Sequence, residues 1–208
     1  MIGIIEKVIV DSLLELGGDE LRQDVFFVAK IPNDRIYRID RHYDDGETMR
    51  LIEAVLQVTG LETSELFDLL SEAFLEFVEG VFPEFLRMSR TSEDLVRKQA
   101  KIHALIAAGS RKPGDSQKSA DKFRIEDHGP HHITVHYQSQ LQLCGFYEAL
   151  VRAAAKHFGD EVVFASHECA HEGANACRMT MKWTSVAGTP TFFTSPQTHD
   201  HELKSTHG

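Results

Sequence analysis

The stretch His131–Tyr147, HHITVHYQSQLQLCGFY, changes its hydrophobic period in mid-course, and that change constrains the fold more than any other feature of the chain. Ile133, Val135 and Tyr137 alternate with Thr134, His136 and Gln138, the period of two expected of a half-buried strand. Beyond Ser139 the spacing becomes helical, with Leu143, Phe146, Leu150 and Ala154 on one face of a segment running to Phe158-Gly159. A strand that passes directly into a helix brings the polar groups of the junction, Tyr137, Ser139 and Cys144, between helix and sheet. A ligand lying there would be within their reach.

The remaining elements follow from the same patterns. Ile2, Ile5, Val8, Ile9 and Leu13 make the apolar stripe of a first helix, broken at Gly17-Gly18. Asp19 is placed to cap a second helix over roughly 20–29, stopped by Pro32. A turn at Tyr43-Asp44-Asp45-Gly46 leads to a helix over roughly 47–58. A further amphipathic helix starts near Thr63 or Ser64 and carries Leu66, Phe67, Leu70, Phe74 and Phe77. Residues 82–86 read as a short connection. Thr91 or Ser92 opens the next helix, with Glu93 and Asp94 where the helix dipole favours them. It runs to Gly109, with Val96, Ala100, His103 and Ala107 on one face. Residues 110–120 are polar and read as a loop. Strands are expected at 122–127, at the stretch ending in Tyr137, at 161–166 and at 177–183, the first pair joined through Gly129-Pro130. Helices in the first half and mixed strands with one long helix in the second define an α+β fold over residues 1–183. From Thr184 the sequence turns to Thr, Ser, Pro and His without periodicity, and a disordered tail over 184–208 is expected.

Composition narrows the function classes. A net charge of −10 argues against non-specific binding to nucleic acid, which needs a basic face. No apolar run approaches the ~20 residues of a membrane span. The N-terminus carries Glu6, Lys7 and Asp11, so it reads as an amphipathic helix and not a signal peptide. Three cysteines suit reduced thiols in a cytoplasmic protein better than a disulfide framework. Of the twelve histidines, His199, His201 and His207 fall in the expected tail.

Three groups of residues could carry chemistry. His103, on the apolar side of its helix, is either a hydrogen-bonded core histidine or an axial ligand to a haem iron, where neutral imidazole donates a lone pair. Tyr137 and Ser139 are common residues of a strand end, or a pair of hydroxyl donors to a carboxylate such as a haem propionate. His167-x-Cys169-x-His171-x5-Cys177, with Cys144 upstream, offers soft ligands for zinc, although the spacing matches no common zinc finger. Its plain alternative is buried free thiols beside surface histidines. A hydrolytic enzyme has little support, since neither G-x-S-x-G nor H-E-x-x-H occurs, and His167-Glu168-Cys169 lacks the Pro-Cys-x-x-Cys that a deaminase needs. The chain is therefore not expected to be an enzyme.

Over about residues 1–183 the chain resembles the haem-nitric oxide/oxygen-binding domain, the H-NOX family of bacterial gas sensors related to the sensor domain of soluble guanylate cyclase. The resemblance rests on MIGII at the start, on Tyr43-Asp44-Asp45, and on His103 in a helix preceded by Phe85-Leu86. Tyr137-Gln138-Ser139 and the Phe158-Gly159 helix end complete it. It implies a helical half packed on a four-stranded sheet with haem b between them. His103 then falls at the proximal-ligand position, and Tyr137 and Ser139 on the first two members of a Tyr-x-Ser-x-Arg propionate motif. Leu141 stands at the arginine position, which removes a charge-assisted bond of about 1.5–3 kcal/mol. Ser119-Ala120-Asp121 replace the proline pair ahead of the first strand, so a flatter haem is expected.

Where oxygen-binding relatives carry a distal tyrosine, this chain has Phe146, which with Ile5 would give an apolar pocket that disfavours oxygen. Tyr147, one residue on, is about 100° around the helix and is expected to point elsewhere. The resemblance also aligns Cys144, Cys169 and Cys177 with three cysteines of a zinc site found in some members. Ser166 stands at the fourth position, so His167, and after it His171, are the substitutes to test. The function implied is a nitric oxide sensor acting in trans on a signalling partner, a histidine kinase or a diguanylate cyclase. The alternative is a haem-free zinc/thiol redox-sensing module on the same fold.

Overall fold

The structure, a computed structural model, describes residues 3–108, 123–138, 143–174 and 176–186. Among the described residues the first half is helical, and glycine decides where the chain bends. Helix α1 (Ile4–Ala29) is interrupted at Gly18, where φ 68° and ψ −161° are open to glycine and strained for other residues. The break expected at Gly17-Gly18 is thus a kink joining two helices. Helix α2 (Asp45–Thr59) starts where the Asp44 carboxylate accepts from the Glu47 amide, and it ends at Gly60 in the left-handed conformation. Helix α3 (Thr63–Val81) is capped by a reciprocal box between Glu62 and Glu65, not by Thr63 or Ser64. Residues 82–86 contain more than a connection: Pro83–Arg87 forms a short helix, α4, with proline in its first turn.

Helix α5 (Ser92–Ala108) follows. The second half has β1 (Phe123–Asp127), β2 (His132–Tyr137), α6 (Cys144–Phe158), β3 (Glu161–Glu168), a 3-10 turn at Ala170–Glu172, and β4 (Cys177–Ser185). The strands form one antiparallel sheet in the order β1-β2-β4-β3. Register places Ile125 opposite Val135 and Val135 opposite Met179, so alternate residues share one face. That face carries Phe123, Ile133, Val135, Tyr137, Cys177, Met179, Met181 and Trp183, all buried. Strand β4 continues past Trp183 to Ser185, two residues beyond the expected domain end. Residues 187–208, where a tail was expected, lie outside the described residues.

Two hydrophobic cores result, and α6 separates them. One core gathers α1, α2 and α3 with Leu143 and Phe146. The other gathers the inner sheet face with Val96, Cys144, Tyr147 and Val151. Full burial of each large apolar side chain in these cores is worth about 1.5–3 kcal/mol. The α+β class read from the sequence is the observed one. Among the described residues no helix is long and apolar enough to cross a membrane.

Candidate functional site

The helix that carries His103 is held firmly at its start. The Asp160 carboxylate accepts from both the amide and the hydroxyl of Ser92 at 2.6 Å, and the Trp183 indole donates to the Ser92 hydroxyl at 2.8 Å. Ser92 and Asp160 are buried, so these bonds act where water cannot replace them. One residue on, Glu93 takes the His131 ring at 2.7 Å and Arg97 at 2.8 Å, and Arg97 reaches Asp127 at 2.9 Å. The β1–β2 turn is thereby tied to the first turn of α5.

Three turns further along, His103 is half-buried, as its place on the apolar side of the helix implied. Its ring rests on Phe123 with centroids 4.6 Å apart. Phe123 in turn contacts Tyr137 at 5.2 Å and Tyr147 at 5.4 Å, and the two tyrosines are stacked 5.7 Å apart with planes 7° from parallel. The Tyr147 hydroxyl donates to Gln99 Oε1 at 2.8 Å, one turn before His103 on α5. Burial pushes the Tyr147 phenol well above its ordinary range, so it is a neutral donor. Tyr147 and Gln99 were missed as site residues. The helical phase removed Tyr147 from the Phe146 face, and nothing in the sequence says that α6 is buried on both sides.

On the other side of α6, Phe146 packs against Phe67 at 5.8 Å and Phe74 at 6.3 Å. Gly145 allows this approach, since a Cβ there would meet the Phe67 ring at 3.2 Å. Ile5, Val8, Ile9, Leu70, Phe74 and Phe146 line a narrow apolar hollow. Ile5 and Phe146, paired in the sequence reading, do share this wall. These side chains meet closely, so the wall is packed apolar core with no room for a separate molecule in this arrangement.

By residue type the site fits haem: a half-buried imidazole, a buried tyrosine hydroxyl and an apolar wall without hydrogen-bond donors. Ser139 and Leu141, at the second and third positions of the propionate motif, lie outside the described residues.

A second site lies at the start of α6. Cys144 opens the helix, Cys177 opens β4 opposite Tyr137, His167 stands on β3 opposite Met179, and Cys169 precedes the 3-10 turn. One ligand atom from each falls within 4.8 Å of the others. The Cys144 and Cys169 sulfurs are 3.4 Å apart, and those of Cys169 and Cys177 are 4.0 Å apart. Zinc–sulfur bonds of ~2.3 Å in a tetrahedron need sulfurs about 3.8 Å apart, so the spacing suits a zinc ion. Of the candidates for the fourth position His167 lies with the three cysteines, and the side chains of Ser166 and His171 are outside the described set. Burial, then the neighbouring thiols, pushes the Cys144 thiol up to about 12. Without a metal it is a protonated, inert thiol.

A search of curated proteins returned no match. Solved structures share the fold. An H-NOX protein from Shewanella oneidensis in the Fe(II)NO ligation state matches with a TM-score of 0.75 and 21% identity, over 89% of this chain and 100% of that one. A mutant H-NOX protein from K. algicida, Fe(II) unliganded, matches with a TM-score of 0.72 and 18% identity, over 89% and 97%. An oxygen-binding H-NOX domain related to soluble guanylate cyclases matches with a TM-score of 0.67 and 15% identity, over 94% and 99%. At these identities the likeness speaks for the fold alone. The family model described as Haem-NO-binding matches residues 2–166, well over half of the sequence. The chain belongs to the Haem-NO-binding, or H-NOX, family.

Proposed function

We propose that the domain senses nitric oxide through a haem b held by His103 and passes the signal in trans to a histidine kinase or a diguanylate cyclase. The observation that carries this reading is the lining of the hollow beside Phe146: six apolar side chains and no donor. When bound, haem supplies a ferrous iron able to take a diatomic ligand. His103 offers the imidazole lone pair from a ring whose plane Phe123 holds. The Tyr137 hydroxyl, together with Ser139, would donate to the propionates. Phe146 and Ile5 would exclude water from the distal side and offer no hydrogen-bond donor to a diatomic ligand. Because Ser92 is fixed by Asp160 and Trp183, a displacement at His103 turns α5 about its own start. The signal is then a shift between two packings of α5.

The test is anaerobic reduction of the haem-loaded protein followed by separate additions of nitric oxide and oxygen, read by absorption. The expected result is a stable nitric oxide complex and no stable oxygen complex, with Phe146→Tyr gaining oxygen binding. A wild-type protein that holds oxygen as tightly as the tyrosine variant would contradict the reading.

A second reading is favoured by one specific observation, the gathering of Cys144, His167, Cys169 and Cys177. On it the domain is a haem-free zinc/thiol redox module whose thiolates are oxidisable. Iron and zinc analysis of the purified protein separates the two, since zinc without iron belongs to the second alone.

A further inference from the structure

Three residues in the first turn of α6 point three ways. Cys144 enters the thiol cluster, Phe146 lines the apolar hollow, and Tyr147 crosses to the sheet core and bonds Gln99 on α5. Tyr147 is buried, flanked by Tyr137 and Phe123, so a shift of this turn cannot be absorbed by rotation of the side chain into water. Gln99 precedes His103 by one helical turn.

The geometry points to a linkage between the two sites: a zinc ion held by Cys144, His167, Cys169 and Cys177 fixes the start of α6, and through the Tyr147–Gln99 bond sets the position of α5 and of His103. This rests on the zinc reading of the cluster. The sulfurs are near but not at equal tetrahedral spacing, 3.4 Å and 4.0 Å, so metal entry would re-space the three thiols, Cys144 at the start of α6 among them. Zinc would also join α6 to the β3–β4 hairpin by bonds, adding to the Glu148–His167 pair at 3.7 Å and the Arg152 guanidinium over the Phe164 ring. Linkage is reciprocal. Whatever moves α5 at His103 changes zinc affinity by the factor with which zinc moves α5.

The experiment is hydrogen exchange of the α5 amides at 99–103 in the full chain, with zinc bound and after removal by a chelator, alongside zinc affinity by chelator competition. In the wild type zinc is expected to slow exchange by about tenfold, within the usual range of coupling. In Tyr147→Phe the response falls below about twofold while zinc affinity stays within about a factor of ten, the factor linkage allows. Gln99→Met removes the acceptor from the other side and gives the same loss if the tyrosine variant does not fold. Zinc binding with unchanged exchange at 99–103 overturns the linkage and leaves the metal site standing. A full response in both variants overturns the Tyr147–Gln99 route. A chain that takes up no zinc overturns the site and the linkage together.

Discussion

At the scale of single residues, buried polar groups define what the fold tolerates. Glu6 sits on α1 beside the Ile5 wall, fully buried, accepting from the Thr48 hydroxyl through Oε1, while Oε2 has no partner among the described residues. Burial, countered in part by Thr48, raises its pKa above the usual 4.5. A carboxyl whose folded pKa is raised binds its proton more tightly when folded, so its contribution to stability falls as pH rises from about 4.5 through the raised value. Glu6→Gln is therefore expected to stabilise the domain by about 1–3 kcal/mol near pH 7 and to match the wild type near pH 4. Thermal melts across that range check this, and parallel curves for the two proteins would contradict it. The burial of Tyr137 and Phe146 and the half-burial of His103 and Ile5 were legible because each sits at a fixed phase of a clear period, while the roles proposed for them came from the family resemblance. Tyr147 was not legible. Its role depends on Gln99, forty-eight positions away in sequence, and no local pattern carries that pairing.

At the scale of elements, α5 is the part whose freedom matters, and its anchor is long-range. Ser92 opens the helix, as its residue type and the acids behind it suggested, but its fixing partners Asp160 and Trp183 come from beyond β2. Asp160→Ala would leave the buried Ser92 amide without its acceptor, at a cost of about 2–3 kcal/mol. The expected outcome is a lower urea midpoint with an unchanged slope, and an unshifted midpoint would show that the anchor is dispensable. Glycine and proline punctuation made most boundaries readable, including the break in α1 and the ends of α2 and α6. The cap of α3 was not readable, because Thr63 and Ser64 are the commoner capping residues and the box is made by Glu62 and Glu65 instead. The short α4 escaped for lack of a full period.

At the scale of the molecule, α6 is shared by everything that could act. It is apolar on two sides, divides the helical core from the sheet core, and its first turn touches the thiol cluster, the hollow and α5. The sequence showed the order of elements and the α+β class, since periods of two and of 3.6 are local properties. Which cores form, and which residue becomes the fourth member of the cysteine group, are properties of packing. His167 reaches the cluster from β3, which pairs with β4 through an irregular register between Phe164 and Ser166. The central claim concerns His103 and iron, and haem titration of the purified chain followed at the Soret band tests it most directly. The expected result is saturation at one haem per chain in the wild type, with affinity at least about tenfold weaker and a shifted band in His103→Ala. An identical band and affinity in both proteins, or no band in the wild type, would contradict it.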